Sequence, residues 1–232
     1  MTDRPVPAPD GEALTIDCGS AGTVSALCIV PPQASAGFVF AHGAGAGMRH
    51  GFMEAFAVGL GERGVATLRY QFPFMERGAR RTDPPALAHA AVRAAVAAAA
   101  RRLPGLPLFA GGKSFGGRMA SQAQALEPLP DVRGLVFVGF PLHPVGKPSV
   151  ERAEHLANVA CPMLFLQGTR DELADPDLVG AVVGRLGPRA TLSWVDDADH
   201  AFHVRAVSGR NDRQARDTML DAMVDWLARH GE

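Results

Sequence analysis

The stretch Leu106-Pro107-Leu108-Phe109-Ala110-Gly111-Gly112-Lys113-Ser114-Phe115-Gly116 decides the fold. Leu106 to Ala110 is a short apolar run with strand character, and Phe115 to Leu126 has a helix pattern ended by Pro128 and Pro130. A strand running into Gly-x-Ser-x-Gly and then a helix is the context in which a serine is lifted onto a sharp, strained turn. The residues two before and two after that serine approach each other, so only side chains as small as glycine fit, hence Gly112 and Gly116. The hydroxyl of Ser114 is then expected at the C-terminal edge of a sheet, beside the positive end of the helix. A phosphate-binding loop also ends in Gly-Lys-Ser, but it requires a glycine where this chain has Pro107.

Outward from this turn, strands alternate with helices. Ala13 to Asp17 and Thr23 to Val30 read as two strands, and Gly37 to Ala41 as a strand buried on both faces. The glycine-rich loop His42-Gly43-Ala44-Gly45-Ala46-Gly47 follows, then a helix from Phe52 to Arg63 stopped by Gly64. Val65 to Tyr70 is a strand, Gln71 to Pro85 a loop, and Ala86 to Leu103 an alanine-rich helix. After the turn come strands at Gly134 to Gly139, Met163 to Gly168 and Ala190 to Val195, with helices after Pro176 and from Asp212 to Arg229. This order predicts a mostly parallel sheet covered on both faces. The connection from Phe140 to Pro162, with at most one short helix, is too short for a large cap domain.

A nucleophilic serine needs a base to take its proton and a carboxylate to hold that base. Along such a sheet the expected order is serine, acid, histidine. Asp171 follows Met163 to Gly168, and His200 follows Ala190 to Val195, both in loops at C-terminal strand ends where catalytic groups gather. Glu172 and Asp175 compete for the acid position, and His203 for the base. An oxyanion hole needs backbone N–H groups aimed at developing negative charge. Phe115 at the helix start supplies one, and Ala44 in the glycine-rich loop the other. His42 then reads as a structural hydrogen bonder beneath that loop.

Composition narrows the classes. The 232 residues fit a single domain, 1–232, with residues 1–12 as a flexible proline-rich lead. Hydrophobic residues make up 47% and the formal net charge is −1, so a nucleic-acid or anionic-membrane partner is not expected. The cluster Arg77, Arg80 and Arg81 reads as a solvated loop, while Lys147, Arg152 and His155 could meet an acidic substrate or simply solvate their connection. Cys18, Cys28 and Cys161 form no metal-binding or disulfide pattern, Cys28 and Cys161 reading as buried reduced thiols. No histidine spacing points to a metal, and no cofactor motif is present. The lead carries no signal-peptide core and the alanine-rich segment is too weakly apolar for a membrane span, so a cytoplasmic location is expected.

Phe-Ala-His-Gly-Ala-Gly, Arg-Tyr-Gln-Phe-Pro, Gly-Gly-Lys-Ser-Phe-Gly-Gly-Arg, Phe-Pro-Leu-His-Pro, Leu-Gln-Gly-Thr-Arg-Asp and Asp-His-Ala-Phe occur in one order. In this the chain resembles the small, largely bacterial α/β-hydrolases related to a subunit of a nuclear histone-acetyltransferase complex. It is more distantly similar to dienelactone-hydrolase-like and carboxylesterase-like proteins. The resemblance covers most of the chain from Phe38 onward. It implies an α/β-hydrolase fold, a single three-layer sandwich, with Ser114, Asp171 and His200 as catalytic triad. Dienelactone hydrolases use a cysteine nucleophile, from which Ser114 departs. The resemblance implies no substrate; the serine, histidine and aspartate themselves point to hydrolysis of a small-molecule acyl substrate, an ester or thioester. A peptidase or amidase using the same residues and a non-catalytic binding scaffold are the alternatives.

Overall fold

A computed structural model describes residues 11–231. Among the described residues, eight strands form one sheet in the order β1-β2-β4-β3-β5-β6-β7-β8. They are β1 (Glu12–Asp17), β2 (Thr23–Ile29), β3 (Ala36–Ala41), β4 (Val65–Tyr70), β5 (Leu108–Lys113), β6 (Val132–Val138), β7 (Met163–Gly168) and β8 (Ala190–Val195). The β1–β2 and β2–β4 pairs are antiparallel and every other pair is parallel. The described residues also form six α-helices: α1 (Gly51–Glu62), α2 (Pro73–Glu76), α3 (Pro85–Arg102), α4 (Phe115–Leu126), α5 (Pro176–Leu186) and α6 (Asp212–His230). This is the α/β-hydrolase fold without a large cap.

Strand periodicity sorts the core into two layers. Phe38 and Phe40 of β3 face α1 and α6, whereas Val39 and Ala41 face α3 and α4. The same alternation runs through Val136 and Val138 against Leu135 and Phe137 on β6. Central strands are apolar on both faces because both faces are covered. In α3 the buried positions Ala88, Ala91, Val92, Ala95, Val96 and Ala99 recur at helical spacing. Their small side chains let the helix lie close to the sheet. No helix of the described residues is long and apolar enough to cross a membrane.

Several boundaries differ from the sequence reading. Glu12 already pairs with Cys28 in β1, so the lead ends before residue 12, and its residues 1–10 lie outside those described. β5 continues through Gly111, Gly112 and Lys113, beyond the expected end at Ala110. Ladders to β3 and β6 on either side offset the weak strand preference of glycine there. Because residues 108–113 are extended strand, they form no phosphate cradle. The stretch Gln71 to Pro85 contains the one-turn helix α2, too short to show a period, which opens with Pro73 at its first position. The Phe140 to Pro162 connection holds a 3-10 helix at Glu151–Asn158. Cys18 and Cys28 are buried, Cys161 is only partly so, and all three are unpaired.

His155 fastens that 3-10 helix to α4. Ser121 Oγ donates to the Arg118 carbonyl at 3.0 Å and accepts from His155 Nε2 at 2.7 Å. Burial, reinforced by the nearby Arg118 and His89, pushes the imidazole down to about 4. An unfolded histidine titrates near 6.5, so the unfolded chain takes up a proton first and stability falls as pH drops from about 6.5 to 4. In urea titrations over this range, His155→Gln is expected to lose stability less steeply than the wild type. Parallel pH dependences would refute a neutral, half-buried His155.

Candidate active site

Ser114 joins β5 to α4 with φ 51° and ψ −114°, a region that non-glycine residues rarely occupy. Close backbone packing leaves no other path. A β-carbon on Gly112 would lie 2.4 Å from the Ala41 carbonyl oxygen and 2.9 Å from the carbonyl carbon of Gly116. One on Gly116 would lie 2.5 Å from the Ala41 oxygen and 2.6 Å from that of His42. The two glycines therefore meet each other and the end of β3 together. The Ser114 N–H donates to the Val138 carbonyl at 3.1 Å, tying the turn to β6.

The structure brings Ser114, His200 and Asp171 into one hydrogen-bonded line. His200 Nε2 lies 2.8 Å from Ser114 Oγ, and His200 Nδ1 lies 2.7 Å from Asp171 Oδ2. The Asp171 side chain is completely buried, while His200 keeps 26% exposure and so reaches the surface cleft. A carboxylate at Nδ1 fixes the proton there and leaves Nε2 as acceptor for the serine hydroxyl. Two of the rival residues, Asp175 and His203, are engaged elsewhere. Asp175 caps α5 by accepting from the Asp177 and Leu178 N–H groups, and Glu172 is exposed at the cleft. His203 is exposed and pairs with Asp212 at 3.0 Å, which raises its pKa.

Gln167 is a site residue that the sequence alone does not mark. Its Nε2 donates to Asp171 Oδ2 at 2.7 Å, and its Oε1 accepts from the Phe140 N–H at 2.9 Å. The Leu173 N–H donates to Asp171 Oδ1 at 2.9 Å, so both carboxylate oxygens are held. The available signal was a polar residue near the end of an otherwise apolar strand. The His200 loop ties itself: Asp199 Oδ1 accepts from the Ala201 and His203 N–H groups. It also crosses over Gly168, where a β-carbon would lie 2.3 Å from the Ala198 carbonyl oxygen.

Lys113 runs beneath the same loop. Its Nζ donates to the His200 carbonyl at 2.6 Å and lies 5.2 Å from the centre of the Phe202 ring. Burial pushes its ammonium down to about 8, against the opposing pull of Asp171 and Asp199.

Across the cleft, the loop after β3 is held at both ends. His42 Nε2 accepts from the Phe72 N–H at 2.9 Å, so Nδ1 carries the proton and donates to the Gly43 carbonyl at 2.7 Å. Burial lowers this imidazole to about 4, leaving it neutral at physiological pH. Further along, Gln71 Oε1 accepts from the Met48 N–H at 2.8 Å, and Arg69 donates to the Met48 carbonyl at 3.2 Å. Ala44 sits between these anchors and lines the cleft with Ser114. Phe115 begins α4, so its N–H has no intrahelical acceptor. The cleft encloses about 560 Å³ and is walled mainly by Phe52, Met53, Val145, Leu173 and the Gly43–Ala46 loop. Lys147 and Arg152 do not line it; they border a separate hollow.

A mostly parallel sheet with a strained serine turn, facing an Asp-linked histidine, defines the α/β-hydrolase class. The chain belongs to the alpha/beta hydrolase domain family, which it matches over residues 34–228. Its fold is similar to that of a lidless α/β serine hydrolase from Xanthomonas campestris (22% identity, 96% of this chain and 98% of that one, TM-score 0.72). It is also similar to a dienelactone hydrolase from Anabaena variabilis (18%, 95% and 98%, TM-score 0.75). An esterase domain from Rhodothermus marinus superposes as well (15%, 95% and 99%, TM-score 0.72).

Two stability outcomes follow from the packing. Gly168→Ala is expected to cost about 1–3 kcal/mol in chemical denaturation, since a methyl group there collides with backbone. An unchanged midpoint would contradict the close crossing of the His200 loop. For Lys113, the unfolded chain holds its proton up to about 10.4 while the folded one releases it near 8, so stability rises across that interval. The melting-temperature difference between wild type and Lys113→Met should therefore grow in favour of wild type from pH 8 to 10. A flat difference would place the ammonium in solvent.

Proposed function

We propose that this protein is a serine hydrolase that cleaves a small or accessible ester or thioester through an acyl-enzyme on Ser114. The observation that carries the reading is the unbroken line Asp171–His200–Ser114, ending on the cleft. As Ser114 Oγ attacks the substrate carbonyl, His200 Nε2 takes the hydroxyl proton. The carbonyl oxygen becomes negative and is received by the Phe115 and Ala44 N–H groups. Asp171 stabilises the imidazolium. His200 then passes its proton to the departing alkoxide or thiolate, leaving the acyl group on Ser114. A water enters, gives a proton to His200 and attacks the acyl carbonyl. His200 returns that proton to Ser114 Oγ, which restores the resting state and releases the acid.

The cleft's apolar walls and the absence of a large cap favour short or surface-presented acyl groups over long buried chains. The reading takes residues 1–232 as one hydrolase domain. A narrower kinship with the histone-acetyltransferase-subunit-related hydrolases belongs to it too, resting on the motifs Gly111–Arg118 and Phe140–Pro144.

Fluorophosphonate labelling tests the nucleophile: wild type should label and Ser114→Ala should not. With nitrophenyl esters of increasing chain length, rates should be highest for short acyl groups. Asp171→Asn should lower kcat by about 10⁴-fold, and Ser114→Ala by roughly 10⁴–10⁶-fold. Failure of the wild type to label beside a reactive control esterase would overturn the assignment. Labelling that survives Ser114→Ala would move the nucleophile elsewhere.

A further inference from the structure

Arg118 lies one turn along α4 from Ser114, and with Lys147 and Arg152 it borders a hollow of about 560 Å³. Among the described residues, none of these three cations forms an ion pair or donates a side-chain hydrogen bond. Arg63, Arg77, Arg93, Arg102, Arg170 and Arg205, by contrast, each reach a carboxylate. Arg118 and Arg152 are both half-buried, and Arg118 Nε is enclosed without a hydrogen-bond partner. Half-burying two like charges beside one another is costly unless something of opposite sign joins them. Desolvation first, and then the neighbouring Arg152, lowers the Arg118 pKa.

The neutral groups of the hollow point the same way. Gln122 uses its Oε1 toward His89 Nε2 at 3.2 Å, which leaves its amide N–H groups to donate. Ser149 Oγ accepts from the Glu151 N–H at 3.2 Å, which leaves its hydroxyl proton to donate. Glu151 is the one acidic residue of the wall. It is exposed, and no ion pair joins it to any of the three cations.

We infer that this hollow is a binding site for the phosphate group of a small ligand, formed by Arg118, Arg152 and Lys147 with Gln122 and Ser149. Two guanidinium forks and an ammonium match a tetrahedral dianion in charge and in number of donors better than they match a single carboxylate. The site is separate from the Ser114 cleft, with which it shares a wall: Val145 faces the cleft, while Pro144 and Lys147 face the hollow. The inference therefore does not rest on the hydrolase reading.

Isothermal titration calorimetry of the full chain in a phosphate-free buffer, with inorganic phosphate and with glycerol 3-phosphate, tests it. Saturable binding is expected, weakened about tenfold or more in Arg118→Gln and in Arg152→Gln. Lys147→Gln alters only an exposed side chain, so it keeps the test valid if either arginine variant folds poorly, and it too should bind more weakly. Tighter binding of glycerol 3-phosphate would identify an organic phosphate as the ligand, and equal binding inorganic phosphate. Ser114→Ala and the distant Arg213→Gln should bind as wild type does. Absence of saturable binding, wild-type affinity in Arg118→Gln and Lys147→Gln, or loss of binding in Ser114→Ala would each overturn the site.

Discussion

The site depends on one close backbone approach, that of Gly112 and Gly116 to the carbonyl groups of Ala41 and His42. This contact brings the ends of β3 and β5 together where β5 must turn into α4. Three consequences follow from the same few ångströms. The turn becomes too tight for an ordinary backbone, which places Ser114 at positive φ. The start of α4 comes to rest beside the loop after β3. Gly43 is then so near that a β-carbon on it would lie 3.8 Å from Ser114 Cβ. Strain of this kind costs of order 1–3 kcal/mol and persists only where the surroundings over-determine it. Here ladders on both sides of β5 and the bond from the Ser114 N–H to Val138 do so.

Around that fixed point, the other groups are held by polar side chains at the C-terminal ends of apolar strands. Gln167 near the end of β7 holds Asp171, Gln71 just after β4 holds Met48, and His42 just after β3 joins Gly43 to Phe72. Lys113 at the end of β5 holds the His200 carbonyl. In each case one side chain satisfies backbone or carboxylate groups that would otherwise be buried unpaired. The loops then behave as extensions of the sheet, and the groups they carry are held in place.

Much of this was legible in the sequence because its signals are local. The strand–turn–helix at Ser114 announces itself through Gly112 and Gly116, and the chain order of Asp171 and His200 follows from where strands end. Gly111 and Gly112 carry no strand signal of their own, so the sequence pattern ends β5 at Ala110; the partners that extend the strand, β3 and β6, are distant in sequence. α2 leaves no mark in the sequence pattern because four residues show no period. Gln167 and Lys113 escaped for a different reason. Their bonds reach Phe140 and His200, 27 and 87 residues away, and nothing local marks such a partner.

Those long-range bonds also explain how the fold can leave its edge open. Among the described residues there is no large cap to press the His200 loop onto Ser114 from above. The loop must be held from below, by Gly168 under Ala198, by Lys113 at the His200 carbonyl and by Asp199 within the loop itself. Placing an amine under that loop carries a cost, since burial disfavours its charge and lowers it to about 8. The aromatic face of Phe202, the His200 carbonyl and the fields of Asp171 and Asp199 offset that cost only in part. Lys113 is thus a cation retained for the bond it makes. Arg118, one turn into α4, differs: among the described residues its side chain has no ion pair and its enclosed Nε no hydrogen-bond partner, and the inferred anion site rests on that contrast.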